Sequence, residues 1–131
     1  IRCSADEVWE LVSKPEHAPL TLPEQVARGF AVPGTPAGVG GQQCFIDHEG
    51  NASIYEVLEH EPARRQVSRL VSPAPAVPVR SSRTLEPLGT ACLLTVGTEM
   101  DSSRGWSPAE QRQWTVAVRD YLERVRRILE D

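Results

Sequence analysis

The sequence is poor in aromatic residues and in lysine. Of its 131 residues only 5% are aromatic, and Lys14 is the single lysine among 14 basic residues. The formal net charge is −4, so the chain provides no overall positive field for nucleic acid. No apolar run approaches the roughly 20 residues that a membrane span requires. We therefore expect neither nucleic-acid binding nor stable membrane insertion.

Cysteine is also scarce. Cys3, Cys44 and Cys92 are odd in number, lie far apart and form no C-x-x-C pair. This pattern is typical of small buried thiols in a reducing cytoplasm. The three histidines lack the spacing of metal ligands, and the start of the sequence lacks a signal-peptide pattern. We expect a cytoplasmic protein that uses no metal and no cofactor.

Glycine and proline concentrate in one stretch, residues 32–46, with the sequence VPGTPAGVGGQQCFI. The dinucleotide-binding fingerprint would require glycine where Gln43 stands, and a Walker motif would require a lysine after the last glycine. The residues that follow indicate a strand rather than a helix N-terminus that could bind a phosphate. We interpret this stretch as a reversal between two strands.

Two short helices are predicted near the N-terminus. Ser4 and Glu7 form a capping box, and apolar residues then recur at helical spacing up to Val12. Pro15 ends this helix and begins a second short helix over residues 15–22.

The middle of the chain predicts strands. Short turns separate the segments, and consecutive strands with short links pair in antiparallel fashion. The six segments are 25–33, 41–47, 52–60, 66–72, 80–88 and 90–100.

The last part of the sequence predicts one long amphipathic helix. A second capping box joins Ser107 to Glu110, and Pro108 occupies the first helical position. We predict the helix over residues 108–130. Its apolar face consists of Trp114, Val118, Tyr121, Leu122, Val125 and Leu129.

The order of these pieces resembles the START-like (SRPBCC) helix-grip superfamily, which includes the polyketide cyclase/dehydrase and lipid-transport group. The matching stretches are SADEVWELVSKPE, PGTPAGVGG, YEVLEHEPARR and TLEPLGTACLLTV, followed by the capped C-terminal helix. The resemblance implies an α+β fold. In that fold a curved antiparallel sheet wraps around the long C-terminal helix, two short helices follow the first strand, and an internal cavity separates sheet from helix. We expect residues 1–131 to form a single domain of this kind, with a first strand shortened to Ile1–Cys3.

Polar residues within the strands are candidate ligand contacts, because alternate residues of each strand face the expected cavity. A surface ion pair is the alternative for each arginine, and core packing is the alternative for Trp9 and Tyr55. We expect the glycines Gly38, Gly40 and Gly41 to lie at the cavity mouth. The candidate ligand-binding residues are Trp9, Tyr55, Glu56, Arg69, Arg83, Trp114, Val118 and Tyr121.

Three functions are consistent with these features. The first is binding or transport of a small hydrophobic molecule, such as a lipid, polyketide or isoprenoid. The second is a polyketide cyclase or dehydratase, with Tyr55, Arg69 and Arg83 as candidates for handling protons. The third is a protein-interaction module. A homodimer is compatible with the sequence as well. An apolar cavity favours the first, interacting titratable groups in the cavity favour the second, and a filled interior favours the third.

Overall fold

A curved antiparallel sheet and a long helix dominate the computed structural model, which describes residues 1–100 and 106–130. In these residues six strands lie side by side in chain order, and each pairs with the next in antiparallel fashion. The elements are α1 (Ala5–Ser13), a 3₁₀ helix (Pro15–His17), α2 (Ala18–Thr21), β1 (Arg28–Ala31), β2 (Gln42–Ile46), β3 (Ala52–Glu61), β4 (Arg65–Ser72), β5 (Val79–Leu88), β6 (Ala91–Met100) and α3 (Pro108–Glu130).

Serine caps fix where α1 and α3 begin, and the full capping box forms at Ser107; at Ser4 the Glu7 carboxylate accepts instead from the Ser4 hydroxyl and the Cys3 thiol. The Ser4 hydroxyl accepts a hydrogen bond from the backbone N–H of Glu7 at 3.2 Å. At α3, the Ser107 hydroxyl accepts from the Glu110 N–H at 3.1 Å, and the Glu110 carboxylate accepts from the Ser107 N–H at 3.3 Å. Each cap satisfies N–H groups that have no partner inside the helix.

The sheet curls because the pairing between β3 and β4 is irregular. The register shifts between Ile54 and Tyr55 and again between Val57 and Glu59. Such bulges bend a strand and increase its local twist. The β5–β6 pairing, by contrast, runs without a break from Val79 opposite Met100 to Leu88 opposite Ala91.

The core fills only one end of the space inside the curl. Val8 of α1, Cys92 of β6 and Val125 of α3 are the largest fully buried side chains, and they belong to one cluster. The C-terminal half of α3 therefore packs tightly against the sheet and α1. The N-terminal half of the same helix lies over the cavity described below.

The predicted fold is confirmed, with two differences at the N-terminus. Residues Ile1–Cys3 do not form the expected first strand, although Ile1 exchanges two backbone hydrogen bonds of 2.9 Å with Cys92 on β6. The predicted second helix divides into the 3₁₀ helix and α2. None of the helices in the described ranges combines the length and apolar character that crossing a membrane requires.

Candidate functional site

A cavity of about 410 Å³ lies between the concave face of the sheet, the short helices and α3. Protein interiors are normally close-packed, with few voids larger than a water molecule. Sites for small ligands typically occupy roughly 300–1,000 Å³. The cavity is therefore large enough to be a ligand site.

The strands give this cavity a mostly polar floor. Alternate residues point inward along each strand, as in the series Gln43, Phe45 and Asp47. Hydroxyl groups are prominent: Ser68, Ser81 and Thr98 lie directly opposite one another on β4, β5 and β6. The lining residues from the sheet and its turns are Gln43, Phe45, Asp47, Asn51, Ser53, Tyr55, Ser68, Ser81, Arg83, Val96 and Thr98.

The helices provide a mostly apolar roof. Leucine, valine, proline and alanine side chains come from the N-terminal helices, and α3 adds its aromatic and branched residues. A ligand in this cavity would meet apolar groups on one side and hydrogen-bonding groups on the other. The main helical lining residues are Leu11, Val12, Pro15, Ala18, Trp114, Ala117, Val118 and Tyr121.

The cavity opens between α3, the loop after α2 and the β2–β3 turn, since the lining residues Gln25, Asn51 and Ala117 are exposed there. The turn is held by Asp47, whose carboxylate accepts hydrogen bonds of 2.9 Å from the backbone N–H groups of Asn51 and Glu49. These bonds lower the pKa of Asp47, with the Asn51 N–H contributing most. One side of the opening is thus a fixed turn.

A charged side chain lies inside the cavity at Arg83. Its Nε donates a hydrogen bond of 3.2 Å to the phenol oxygen of Tyr121. The guanidinium carbon also lies 5.6 Å from the centre of the Tyr121 ring, which is a cation–π distance. This contact joins the middle of β5 to α3 across the cavity.

Tyr55 presents a second phenol to the same space. Burial raises the pKa of Tyr55, and the positive charge of Arg83 partly opposes this effect. The phenol is therefore a neutral hydrogen-bond donor at physiological pH. Its ring packs edge-on against Phe45, with the ring centres 5.9 Å apart.

Five of the eight candidate ligand-binding residues line the cavity. They are Tyr55, Arg83, Trp114, Val118 and Tyr121. Tyr55 and Arg83 come from the middle of the sheet, and the other three come from the first 14 residues of α3.

Glu56 and Arg69 lie outside the cavity lining. Because Tyr55 and Ser68 face inward, alternation directs the residues that follow them to the convex face of the sheet. There Glu56 and Arg69 sit opposite each other, and their side chains form an ion pair of 3.1 Å. This corrects the expectation that Arg69 shares the cavity face.

Trp9 and the glycine loop also lie away from the lining. The Trp9 ring packs against His60, with the ring centres 6.0 Å apart. The loop is fastened to β3 by hydrogen bonds of 2.8 Å that join Gly40 and Gly41 to Val57. None of Gly38, Gly40 and Gly41 lines the cavity, so the structure does not place the mouth at this loop.

Several lining residues were not among the candidates. Ser53 and Ser81 each lie two positions from a candidate, Tyr55 and Arg83 respectively, and strand alternation could have identified both. Asp47 and Asn51 belong to a turn, and their sequence context signals only the turn itself.

Residues 1–100 and 106–130 contain no group of three or more His, Cys, Asp or Glu residues placed to hold a metal ion. The thiols of Cys3, Cys44 and Cys92 are all free and buried.

The fold and the site together define an α+β protein whose curved sheet encloses a cavity beneath a long C-terminal helix. The model of the family described as "Polyketide cyclase / dehydrase and lipid transport" matches residues 1–130. The chain belongs to this family. A comparison with curated proteins gives no significant match.

Solved structures show the same fold at low sequence identity. XoxI from Bacillus cereus is 17% identical, with a TM-score of 0.75 over 100% of this chain and 91% of that one. A Bacillus thuringiensis protein is 15% identical, with a TM-score of 0.75 over 100% and 94% of the two chains. DynU16, from the dynemicin biosynthetic locus, is 23% identical with a TM-score of 0.74, and the match covers 99% of this chain but 44% of DynU16.

Proposed function

We propose that this protein binds a small hydrophobic molecule of the lipid, polyketide or isoprenoid type in the cavity between the sheet and α3. The observation that carries the proposal is the cavity itself, about 410 Å³ in volume and lined on one side by Trp114, Ala117 and Val118 of α3. Membership of a polyketide cyclase/dehydrase and lipid-transport family supports the same class of ligand. The apolar roof would bury the body of such a molecule, and burial of apolar surface drives its binding.

Binding can be tested with a neutral fluorescent probe, N-phenyl-1-naphthylamine, and a variant that fills the cavity. Val118 points into the cavity, whereas Val116 on the same helix is 54% exposed and does not line it. We expect Val118→Trp to weaken probe binding by about tenfold or more, because overpacking a site excludes its ligand. Val116→Trp is the matched control and should bind like the parent protein.

The proposal fails if the parent protein does not bind the probe, or if the two tryptophan variants bind it equally well. Native mass spectrometry of the purified protein provides an independent test. A non-covalent adduct of roughly a few hundred daltons would be the expected result, since that is the size of ligand such a cavity holds.

A second candidate function is a polyketide cyclase or dehydratase reaction in the same cavity. The observation that favours it is the grouping of the Arg83 guanidinium with the phenols of Tyr55 and Tyr121. A cation can stabilise a developing enolate oxygen, and a neutral phenol can donate a proton. Recovery of a poly-β-ketone analogue in cyclised form, at a rate that Tyr55→Phe lowers, would favour this function over simple binding.

A further inference from the structure

We propose that the molecule bound in the cavity carries a carboxylate group, which pairs with the guanidinium of Arg83. This inference rests on the proposed binding function and names the class of ligand. The molecule is thus an amphipathic acid, with an apolar body under α3 and its acidic end at the floor of the sheet.

The first step concerns the charge of Arg83. An arginine side chain remains protonated under all ordinary conditions. Arg83 lies within the cavity lining and is half-buried, with its ring contact to Tyr121 above it. A positive charge that has lost part of its contact with water in this way is stabilised by a partner of opposite charge.

The second step is that the described residues supply no such partner. Across residues 1–100 and 106–130, no carboxylate forms an ion pair with Arg83. Two carboxylates on this part of the sheet have other partners. Asp47 accepts backbone hydrogen bonds in its own turn, and Glu56 pairs with Arg69 on the convex face.

The third step concerns the donors that remain. Tyr121 accepts the hydrogen bond of Nε, and no other described residue bonds to the guanidinium, which leaves both terminal nitrogens for a ligand. Terminal guanidinium nitrogens match the two oxygens of a carboxylate, and such paired bonds are shorter and stronger than neutral ones. Arginine is thus better suited to bind a carboxylate here than lysine, whose ammonium group is a point charge.

The fourth step is the polar surface beside Arg83. Ser81 precedes it by two residues on the same face of β5, between Ser68 and Thr98 on the neighbouring strands. None of the described residues forms a side-chain hydrogen bond with these three hydroxyl groups. They can donate to the same acidic group, as can the neutral phenol of Tyr55.

The experiment compares two probes of nearly the same shape that differ in charge. We would measure how well 2-naphthoic acid and 2-naphthamide displace N-phenyl-1-naphthylamine at pH 7, where the acid is ionised. We expect the acid to bind about tenfold more tightly than the amide, since charge-assisted hydrogen bonds are roughly twice as strong as neutral ones.

Variants on one strand locate the effect. Arg83→Met removes the charge and keeps the length of the side chain, so it should abolish the preference for the acid while the amide still binds. Arg83→Lys keeps the charge and should retain part of the preference. Arg80→Met is the matched control, because Arg80 is exposed on the same strand and does not line the cavity.

The outcomes separate this inference from the function on which it rests. If the parent protein binds the neutral probe but the acid and the amide displace it equally, the carboxylate inference is wrong and the binding function stands. The same conclusion follows if Arg83→Met still prefers the acid. If the parent protein does not bind the neutral probe at all, both proposals fail.

Discussion

Gly29 on β1 provides a sharp test of how the roof of the cavity is attached to the sheet. The glycine is buried, and the 3₁₀ helix that contains Pro15 lies directly against it. A Cβ atom added at Gly29 would lie 2.1 Å from the carbonyl oxygen and 2.8 Å from the carbonyl carbon of Pro15. Both atoms belong to the backbone, so no side-chain rotation can relieve the contact.

The Gly29→Ala substitution must therefore move the 3₁₀ helix away from β1 by about 1 Å or more. Overpacking of this kind typically costs about 1–3 kcal/mol, and a clash with a backbone carbonyl group belongs at the upper end. We expect the free energy of unfolding to fall by about 3 kcal/mol, which corresponds to a lowering of Tm by roughly 10 °C for a domain of this size. Because Pro15 lines the cavity, probe binding should weaken as well.

The assay is urea unfolding, with thermal unfolding as a second readout. Gly38→Ala is the matched control, because its added Cβ would lie 3.5 Å from the His60 ring, which is an ordinary van der Waals contact. We expect the control to stay within about 0.5 kcal/mol of the parent protein. The reasoning is refuted if Gly29→Ala unfolds at the same urea concentration as the control.

Two further predictions concern the core and the mouth of the cavity. Val125→Ala removes two methyl groups from a fully buried position, so it should lower the free energy of unfolding in urea by about 2 kcal/mol. Val116→Ala, at an exposed position, should lower it by less than about 0.5 kcal/mol. Equal losses would contradict the assignment of the core. The lowered pKa of Asp47 means that its contribution to stability is present above the ordinary pKa of about 3.9 and is lost as the pH falls through the folded-state value. Asp47→Asn should therefore lower stability at pH 7 and make stability decline less steeply in acid. The measurement is the unfolding midpoint from pH 7 down to pH 2.5. Midpoints that stay parallel to those of the parent protein would contradict this prediction.

The positions of the helices and strands were predictable because each element carries a local signal. The capping box at Ser107 and the helical spacing that follows define α3, and its predicted bounds are those observed. The strands follow from alternation and from turn residues such as Gly50, which adopts a φ of 86° in the β2–β3 turn. These local signals therefore sufficed to predict the order of the elements, and the short links between the strands predicted antiparallel pairing.

The faces of the strands were harder to predict, because they depend on register. Arg69 and Arg83 look alike in sequence, since each is a cation in the middle of a predicted strand. Arg83 faces the cavity, whereas Arg69 faces away from it. The β3–β4 pairing contains two register shifts, and a shift of one residue exchanges the faces of a strand. The sequence of one strand does not indicate where a bulge lies in the strand that pairs with it.

The composition of the cavity floor argues that the space serves binding rather than resulting from loose packing. If only stability mattered, apolar residues at Ser68, Ser81 and Thr98 would fill the gap beneath α3 and bury more apolar surface. The chain instead places hydroxyl groups there, beside a cation that forms no ion pair with any carboxylate of residues 1–100 and 106–130, although polar groups that lose water without gaining partners destabilise a fold. The other half of α3, around Val125, shows that the same helix packs tightly where no cavity is kept open. Since the polar groups all face one space, a bound molecule that satisfies them explains both the void and its lining.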